Sequence, residues 1–304
     1  MSQNANAKGE TDLESINNWI QHHKSLIVDQ SLQLESLLIP KVKKFIAEHC
    51  ALGRRIVLVT SGRMNVPLER NMVRYIANFS SGGRGANSAE EFLKFDHYSV
   101  IYLHHQRALR PFDLHTRHFS VKSHRFQLND TCSAVTITDR HETSEESHQK
   151  TGKSSSSSSL HWDQLKHDIE LYEKVRNENR LLEIQYDTLY EYLVLLSECC
   201  KLLSVMEHSA MIFSAAAVAD FYVPYEEMSQ HKIQSRDVPD GCLQLNLHQT
   251  PKCLKALRLD WCPNAFLVSF KLETDPDIIN SKVNDAITKY KIDVVLSNLL
   301  STYV

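Results

Sequence analysis

The sequence lacks the two glycine motifs that most often bind phosphate groups in nucleotide-binding proteins. No segment reads G-x-x-x-x-G-K-[ST], and the loop after the first predicted strand, SGRMNVPLE, does not contain G-x-G-x-x-G. The second predicted strand ends in Leu103-His104-His105, not in the acidic residue that would bind a dinucleotide ribose. These absences disfavour a nicotinamide-dependent oxidoreductase, which stays an alternative that a titration with NAD(P) would test.

An excess of positive charge and long apolar runs are also missing. The formal net charge is −3 and the isoelectric point is near 6.6, so no cationic surplus is available to neutralise a nucleic acid backbone. No apolar run approaches the roughly 20 residues of a membrane span, and the N-terminus, MSQNANAKGETDLES, lacks the pattern of a signal peptide. We therefore expect a cytoplasmic protein that binds small ligands, and neither nucleic acid nor a membrane as partner.

Cysteine and histidine spacings typical of metal or redox sites are absent. The seven cysteines include no C-x-x-C pair, and the 16 histidines cluster only as His22-His23 and His104-His105. No Ser-His-Asp order or G-x-S-x-G elbow suggests a hydrolase. We expect reduced, mostly buried thiols and no metal site, with a metal or redox role for the cysteines as the alternative.

What the chain does contain is a regular alternation of apolar and helical segments. Apolar runs predict buried, mostly parallel strands at 54–60, 97–103, 210–216, 265–270 and 293–298. Helical patterns lie at about 84–94, 165–207, 252–259 and 277–290. This alternation predicts a doubly wound α/β sheet with helices on both faces.

Two regions differ from this alternation. Helical patterns at about 12–25 and 31–49 predict that residues 1–50 form an N-terminal helical segment, which packs on a single α/β domain spanning 51–304. Between about 117 and 160 the sequence becomes polar and ends in six consecutive serines, which predicts a flexible insertion. Within it, CSAVTIT (132–138) suits an edge strand or an arm, and 139–159 is expected to be disordered.

Glycine is scarce, yet half of the eight glycines lie close together, at Gly62, Gly82, Gly83 and Gly85. Three of them belong to NFSSGGRGANSAEEF (78–92), in which a helical pattern follows the glycines directly. Glycine allows close backbone approach, amides at a helix N-terminus attract phosphate, and Ser80 and Ser81 add hydroxyl donors. The stretch indicates either a phosphate-binding loop or a turn that only packing requires.

Small and charged residues follow another predicted strand. FSAAAVADFYVP (213–224) runs into three alanines and then Asp220. Small side chains at a strand end let a ligand lie against the backbone, and a carboxylate accepts its hydrogen bonds, although alanines packed on a neighbour are the alternative. Lys232, in HKIQS (231–235), either meets a phosphate or developing anion or is a solvated surface charge.

The last two predicted strands end in residues that suit a nucleotide. In VSFKLETD (268–275) an apolar strand ends in Phe270, Lys271 and Glu273. Phe270 could stack on a base and Lys271 could contact a phosphate, while a core position for Phe270 is the alternative. The final strand ends at Asn298, whose amide suits a base edge. Phe270, Lys271 and Asn298 are candidate nucleotide contacts.

In this order along the chain, the segments resemble the phosphopantothenate–cysteine ligase family in its eukaryotic form. The resemblance is carried by VTSG (59–62), VPLE (66–69), VRYIANFSSGGRGANSAE (73–90), AAAVADFYVP (215–224), HKIQS (231–235), SFKLETD (269–275) and VVLSN (294–298). It implies a modified Rossmann-like fold of the dinucleotide-binding type and a homodimer with a dimerisation segment.

The resemblance also implies a reaction in coenzyme A biosynthesis. Family members use MgATP as a substrate, or CTP, to convert the carboxylate of 4′-phosphopantothenate into an acyl nucleotidylate with release of pyrophosphate. The amine of L-cysteine then attacks, which gives 4′-phosphopantothenoyl-L-cysteine and AMP. No tightly bound prosthetic group is implied, and the choice between ATP and CTP stays open for this chain.

The site residues implied by the resemblance fall into three sets. The nucleotide contacts are Gly62, Ser80, Gly82, Gly85, Phe270, Lys271 and Asn298. The phosphopantothenate pocket is lined by Asn78, Ala216, Ala217 and Asp220, with Arg74 supplied by a partner subunit. Catalytic roles are implied for Asn78, Asp220 and Lys232, and Lys232 matches a lysine important for forming the nucleotidylate.

Besides the polar insertion, which lies near where relatives have a dimer-facing or variable segment, two features depart from the family pattern. Arg63-Met64 follows Gly62, where the family usually has Gly-Thr, and the chain ends at Val304, whereas family members commonly continue through a further strand and helix. These departures motivate an alternative function, a catalytically weak or inactive relative that binds a ligand or partner.

Overall fold

The computed structural model describes residues 2–28, 33–113, 124–128, 135–139, 156–237 and 239–302. Its α-helices are α1 (Ser2–His23), α2 (Ile39–Ala51), α3 (Gly83–Leu93), α4 (Ser156–Asn177), α5 (Leu189–Leu203), α6 (Cys253–Ala256) and α7 (Pro276–Tyr290). Its strands are β1 (Arg55–Ser61), β2 (Asn65–Pro67), β3 (Tyr75–Ala77), β4 (Tyr98–His105), β5 (His124–Leu128), β6 (Val135–Asp139), β7 (Leu181–Tyr186), β8 (Ala210–Ser214), β9 (Phe221–Tyr222), β10 (His248–Gln249), β11 (Phe266–Glu273) and β12 (Val294–Leu299).

The chain divides into two units. The larger unit contains the residues up to Leu109 and those from Asn179 onward, and the smaller unit spans Arg110–Glu178. Among the described residues of the larger unit, six strands form a parallel sheet in the order β12-β11-β8-β1-β4-β7. The chain moves outward from β1 in one direction and then, from β8, outward in the other. This is the doubly wound α/β fold predicted from the alternating segments, and its strand order reverses between β1 and β8.

One strand of this sheet was not predicted. The helical pattern assigned to about 165–207 is wrong, because β7 at Leu181–Tyr186 separates α4 from α5. Along β7 the side chains of Leu182, Ile184 and Tyr186 are buried, and those between them are partly or fully exposed. An edge strand with one covered face has this period of two, and it does not produce the continuous apolar run by which the other strands were predicted.

The smaller unit contains the predicted insertion. Strands β5 and β6 pair antiparallel, so the segment left open as an edge strand or an arm includes a strand of a two-stranded sheet. Helix α4 begins at Ser156, so the expectation of disorder is wrong for the last four serines of the run, which are helical. Of the region 117–160, residues 117–123, 129–134 and 140–155 lie outside the described residues.

The N-terminal helices belong to the larger unit and pack on its α5. Both α1 and α2 contact α5, whose side chains are almost all buried. Trp19 in α1 donates a hydrogen bond from Nε1 to the hydroxyl of Tyr222 at 2.8 Å, and Nε1 of the buried Trp261 donates to Oδ1 of Asn17 at 3.0 Å. The indole N–H groups therefore find partners in the same contacts that bury their rings.

Helix α7 begins with a capping residue and a proline, two residue types that favour a helix N-terminus. Asp275 is its N-cap and accepts a hydrogen bond from the backbone N–H of Asp277 at 2.9 Å, and Pro276 occupies the first turn.

Across the described part of the chain, no helix is both long enough and apolar enough to cross a bilayer.

Candidate functional site

The reversal of strand order brings two loops together at the carboxyl ends of β1 and β8. The backbone N–H of Ala217 donates to the carbonyl of Gly62 at 2.8 Å, and the N–H of Ala216 donates to the buried hydroxyl of Thr60 at 3.2 Å. In parallel α/β sheets, ligands bind in the crevice at such a point. The alanine segment and the first glycine loop are therefore neighbours, although more than 150 residues separate them in sequence.

Two glycines at the start of α3, the N-cap Gly82 and Gly85 in the first turn, are required by packing. Gly82 has a φ of +83°, and a Cβ there would lie 2.7 Å from the Cβ of Ala108. A Cβ on Gly85 would lie 2.4 Å from the hydroxyl oxygen of Ser61, and this hydroxyl also donates to the carbonyl of Gly82 at 2.9 Å. The packing interpretation thus holds at both positions. It also brings the start of α3 against the end of β1, which leaves room for a ligand beside the backbone.

A cavity of about 260 Å³ opens beside these glycines. Its lining consists of Arg63, Phe79, Ser80, Ser81, His105, Arg107 and Ala108. The lining contains two guanidinium groups, two hydroxyl groups and no carboxylate. This chemistry suits an anion with several oxygen atoms, such as a polyphosphate.

The histidine in this cavity wall is neutral and fixed. His105 is 1% exposed, its Nδ1 accepts a hydrogen bond from the backbone N–H of Arg107 at 3.1 Å, and its Nε2 donates to Oδ1 of Asp187 at 3.1 Å. Burial lowers the pKa of His105, and the neighbouring Asp187 carboxylate opposes this shift only in part. The ring therefore holds the Arg107 backbone in place without adding a positive charge.

The predicted phosphopantothenate residues separate into two places. Asn78 donates from Nδ2 to the carbonyl of Val218 at 2.9 Å, which places it beside the loop of Ala216 and Ala217. Asp220, in contrast, is exposed, and its carboxylate pairs with Nζ of Lys252 at 3.2 Å. Its backbone carbonyl accepts from the N–H of Thr250. The described contacts therefore join Asn78 to the alanine loop and direct Asp220 toward Lys252.

Lys232 lies on an exposed loop next to a buried ion pair. Nη1 of Arg74 is 2.6 Å from Oε1 of the fully buried Glu69, and Nη2 of Arg74 donates to the carbonyl of Ile233 at 3.0 Å. Ile233 directly follows Lys232. The structure thus brings Arg74 and the Lys232 loop together within one chain.

Arg84 connects α3 to the ends of the last two strands. Its guanidinium lies 4.6 Å from the ring centroid of Phe270, and the other contact of this half-buried ring is an edge-on one with Phe213. With the Asn298 amide oriented so that both its oxygen and its nitrogen are bonded, the oxygen accepts from Nη2 of Arg84 at 2.8 Å. Lys271 instead pairs with Glu273 at 3.4 Å. Phe270 and Asn298 therefore meet around an arginine from the glycine loop.

Comparison with known proteins agrees with this arrangement. Residues 198–303 match the family model described as the DNA/pantothenate metabolism flavoprotein C-terminal domain. The chain is 40% identical to phosphopantothenate–cysteine ligase 2 of Oryza sativa subsp. japonica, in a match that covers 85% of this chain and 74% of that protein. It is 38% identical to phosphopantothenate–cysteine ligase of Homo sapiens, in a match that covers 85% of this chain and 76% of that protein. The chain belongs to the phosphopantothenate–cysteine ligase family.

Solved structures agree with the assignment to this ligase family. A Cab2 mutant in complex with phosphopantothenate-cysteine matches with a TM-score of 0.69 and 37% identity, covering 88% of this chain and 80% of that one. A flavoprotein structure from Streptococcus pneumoniae, at 18% identity and a TM-score of 0.51, covers 83% of this chain and 84% of that one and shares the fold. The resemblance seen in the sequence segments is confirmed.

The candidate site contains residues that the sequence analysis did not select. Arg84 was passed over although it lies between two of the selected glycines, and Arg107 follows a strand end from which only the histidines were considered. Both could have been found from one signal, a basic residue within a few positions of a strand end or a helix N-terminus at the carboxyl edge of the sheet.

In this ligase the side chains of Arg63 and Met64 both have well-defined surroundings. Met64 is fully buried in the core, and Arg63 forms a parallel bridge to Ala217. The Arg63 guanidinium lies over the ring of Tyr75 and donates to its hydroxyl at 3.3 Å. The loop therefore remains next to the alanine segment, with a cation added to the wall of the cavity.

Proposed function

We propose that this chain ligates L-cysteine to 4′-phosphopantothenate through an acyl nucleotidylate, with MgATP as the nucleotide and CTP as the alternative. Family membership supports the ligation, and the relative bound to phosphopantothenate-cysteine supports the substrates. The observation that supports a reaction site in this part of the chain is the hydrogen bond between the Gly62 and Ala217 loops, which brings the two loops together at the carboxyl edge of the sheet.

A carboxylate is a poor acyl donor, and the first step addresses this. The carboxylate oxygen attacks the α-phosphorus of the nucleotide, a P–O bond forms, and pyrophosphate leaves. We assign the pyrophosphate end to the cavity of Arg63, Arg107, Ser80 and Ser81, because charge that develops on the leaving group needs positioned donors. The Gly62, Gly82 and Gly85 backbone forms the adjoining surface for the nucleotide.

The base end of the nucleotide lies, in this proposal, where Phe270 and Asn298 meet Arg84. An aromatic face supports stacking, and the Asn298 amide offers both a donor and an acceptor to a base or ribose edge. Lys271, on the same strand as Phe270, exchanges Glu273 for a phosphate oxygen. These contacts leave the choice between adenine and cytosine to measurement.

The second step is the attack of the cysteine amine on the activated carbonyl carbon. A C–N bond forms, the bond to the nucleotide oxygen breaks, and AMP leaves. Asn78, Ala216, Ala217 and Asp220 line the phosphopantothenate side, with the side chain of Asp220 turning from Lys252 toward the substrate. Lys232 acts in the first step, in which its ammonium stabilises the negative charge that develops on the reacting phosphate as the nucleotidylate forms.

The proposal includes a homodimer in the cytoplasm. Arg74 from a partner subunit reaches the substrate phosphate, because the side chain of Arg74 remains 38% exposed beside its buried partner Glu69. The guanidinium geometry suits bidentate phosphate binding. A protein that elutes as a monomer at assay concentrations would contradict this part of the proposal.

An activity assay tests the proposal. The protein is incubated with 4′-phosphopantothenate, L-cysteine and either MgATP or MgCTP, and pyrophosphate, nucleoside monophosphate and amide product are measured. We expect all three products in equal amounts, and only pyrophosphate and a nucleotidylate when cysteine is omitted. A folded protein that releases neither pyrophosphate nor amide with either nucleotide would contradict the ligase.

A weak or inactive relative is the second candidate, and Arg63 is the observation that favours it. The residue adds a side chain to the cavity where the family pattern has glycine, so it competes with a nucleotide for space unless it stays against Tyr75. Binding of phosphopantothenate without turnover, together with recovery of turnover in Arg63→Gly, would support this candidate.

A further inference from the structure

Glu69 is a buried carboxylate that none of the proposed catalytic steps uses. It follows β2 and begins the turn that leads to β3, and its side chain is fully buried. Its Oε2 accepts hydrogen bonds from the backbone N–H groups of Arg74 at 3.1 Å and Val73 at 3.4 Å. A buried charge with this many donors serves a specific arrangement of backbone.

The same carboxylate reaches a second segment that is distant in sequence. Oε1 of Glu69 accepts from the backbone N–H of Ile233 at 3.4 Å and from Nη1 of Arg74 at 2.6 Å. Nη2 of Arg74 then donates to the carbonyl of Ile233 at 3.0 Å. Both backbone polar groups of Ile233 are therefore bound by one ion pair.

Backbone hydrogen bonds join the same two segments on the N-terminal side of the HKIQS loop. The N–H of Arg70 donates to the carbonyl of Ser229 at 2.9 Å, and the N–H of Asn71 donates to that of Gln230 at 3.1 Å. The segment from His231 to Gln234 forms neither a helix nor a strand. Beyond Gln230, the backbone of this loop is bonded to the Glu69–Arg74 pair through Ile233, the residue after Lys232. The loop has two further contacts: Nδ2 of Asn71 lies 3.3 Å from Nδ1 of His231, and Nε2 of Gln234 donates to the carbonyl of Lys232 at 3.1 Å.

Glu69 is ionised, as its ion pair with Arg74 requires. Burial by itself raises the pKa of the carboxyl, but the backbone N–H groups of Arg74, Ile233 and Val73 and the charge of Arg74 lower it more, so that the pKa lies below its usual value. The carboxylate is thus ionised at neutral pH, and glutamine in its place would remove charge while preserving size.

We propose that the Glu69–Arg74 ion pair is a positioning device for Lys232, which sets the backbone of the HKIQS loop so that the ammonium meets the reacting phosphate. The proposal rests on the proposed ligase function and adds Glu69 to it as a positioning residue. Glu69 contacts no substrate in this arrangement, and its effect on the reaction passes through Ile233 to Lys232.

A double-mutant cycle tests the route of this effect. Single-turnover release of pyrophosphate is measured for wild type, Glu69→Gln, Lys232→Gln and the double variant at saturating nucleotide. We expect Glu69→Gln to slow release about tenfold in the wild-type background and less than about twofold when Lys232 is already replaced. An equal factor in both backgrounds would overturn the proposal, because Glu69 would then act independently of Lys232, through the phosphate contact of Arg74 or through the fold in general.

Asp293→Asn is the matched control. Asp293 also pairs with an arginine, Arg258, and accepts a backbone N–H, that of Leu267, but at the amino end of β11. We expect this variant to lose stability while pyrophosphate release stays within about twofold of wild type. Unlike Glu69, the Asp293 side chain is 37% exposed. A comparable loss of rate in Asp293→Asn would show that losing an arginine-paired carboxylate anywhere in the fold slows the reaction, and it would overturn the proposal.

Backbone hydrogen exchange gives a measurement that does not depend on turnover. We expect peptides covering 229–236 to exchange faster in Glu69→Gln than in wild type, while peptides of α5 do not change. Unchanged exchange in 229–236 would refute the positioning device even in an active enzyme, whereas faster exchange in a protein without ligase activity would uphold it and reject the proposed function. If Glu69→Gln does not fold, Glu69→Asp, which keeps the charge but shortens the reach to Ile233, replaces it in both experiments.

Discussion

Asn78 donates a 2.9 Å hydrogen bond from Nδ2 to the backbone carbonyl of Val218. This bond joins the loop before α3 to the loop after β8, two segments that lie on either side of the reversal in strand order. The amide side chain therefore has a structural partner as well as its proposed substrate. Its replacement is expected to affect both the local geometry and the reaction.

Replacing Asn78 by alanine should lower turnover at least about tenfold, because the side chain is lost at the wall of the phosphopantothenate pocket. Asn78→Asp should cause a similar loss, since an ionised carboxylate cannot donate to the Val218 carbonyl. The exposed Asn284 on α7 provides the control, and Asn284→Ala should retain wild-type kinetics. Steady-state amide formation measures all three, and wild-type rates in Asn78→Ala would remove Asn78 from the site.

Replacing Lys232 by glutamine should lower turnover at least about tenfold through slower formation of the nucleotidylate. The reason is the loss of an ammonium that balances charge on the reacting phosphate. Lys282→Gln, on the exposed surface of α7, should have no effect. Pyrophosphate release measured without cysteine isolates the step, and a normal rate there would refute the assigned role.

Arg107→Gln should raise the KM for the nucleotide about tenfold and change kcat less, because its guanidinium lines the cavity assigned to the leaving phosphates. Arg55, at the amino end of β1 and on the opposite edge of the sheet, is the control. Nucleotide titrations in the ligase assay compare Arg107→Gln with Arg55→Gln. An unchanged KM in the first variant would move the phosphates out of this cavity.

Two neighbouring glycines in α3 should respond differently to alanine. In Gly85→Ala the new Cβ overlaps the side chain of Ser61, so we expect a loss of about 1–3 kcal/mol in the free energy of unfolding and weaker nucleotide binding. In Gly83→Ala the nearest atoms are 3.6 Å away, so stability should be unchanged or up to about 1 kcal/mol higher. Urea unfolding compares the two, and equal stabilities would contradict the packing described.

Stability should fall as the pH falls below about 6.5, and His49 should account for part of the loss. His49 is 1% exposed, its Nε2 donates to the carbonyl of Asn179 at 2.8 Å, and its Nδ1 faces Nη1 of Arg54. Burial lowers the pKa of His49, and Arg54 lowers it further against the opposing Asn179 carbonyl.

Acid lowers the stability because the unfolded chain binds more protons than the folded one. The unfolded histidine takes up a proton near its usual pKa of about 6.5 while the folded one stays neutral, so acidification favours the unfolded chain by at most about 1.4 kcal/mol per pH unit for each such group. The effect is absent above about pH 7.5 and continues down to the lowered pKa of the folded state. Urea unfolding at pH 7.5 and 5.5 should show a smaller difference in His49→Gln than in wild type, and an equal difference would contradict the argument.

The sheet was largely predictable because its inner strands are apolar over their whole length. The run RRIVLVT contains β1, which is buried on both faces from Ile56 to Ser61, and AMIFSAA contains β8, whose residues are buried or half-buried. Such continuous apolar runs can be recognised in the sequence. The edge strand β7 was not predicted, since its exposed face interrupts the apolar run and helical patterns lie on both sides of it.

Within the site, residue types were easier to predict than neighbours. Phe270 lies in the second half of β11 and Asn298 near the end of β12, so their common location toward the carboxyl edge follows from the fold class. The role of Arg84 in joining them did not, because a cation placed over an aromatic ring depends on the distance between α3 and β11. Asp220 shows the same limit, since its partner Lys252 is the N-cap residue of α6, 32 residues away, and a helical pattern does not tell which side chain its first residue contacts.

The sequence by itself determined the family, the alternation of strands and helices, and the chemical groups available at the ends of the strands, because these depend on residue identity and local spacing. Tertiary structure decided which of those groups meet. The bonds from Asn78 to Val218 and from Ile233 to Glu69 span 140 and 164 residues, and no local pattern encodes a partner at such a separation. They exist because the sheet reverses its strand order between β1 and β8, which brings the loops that follow those strands to one edge.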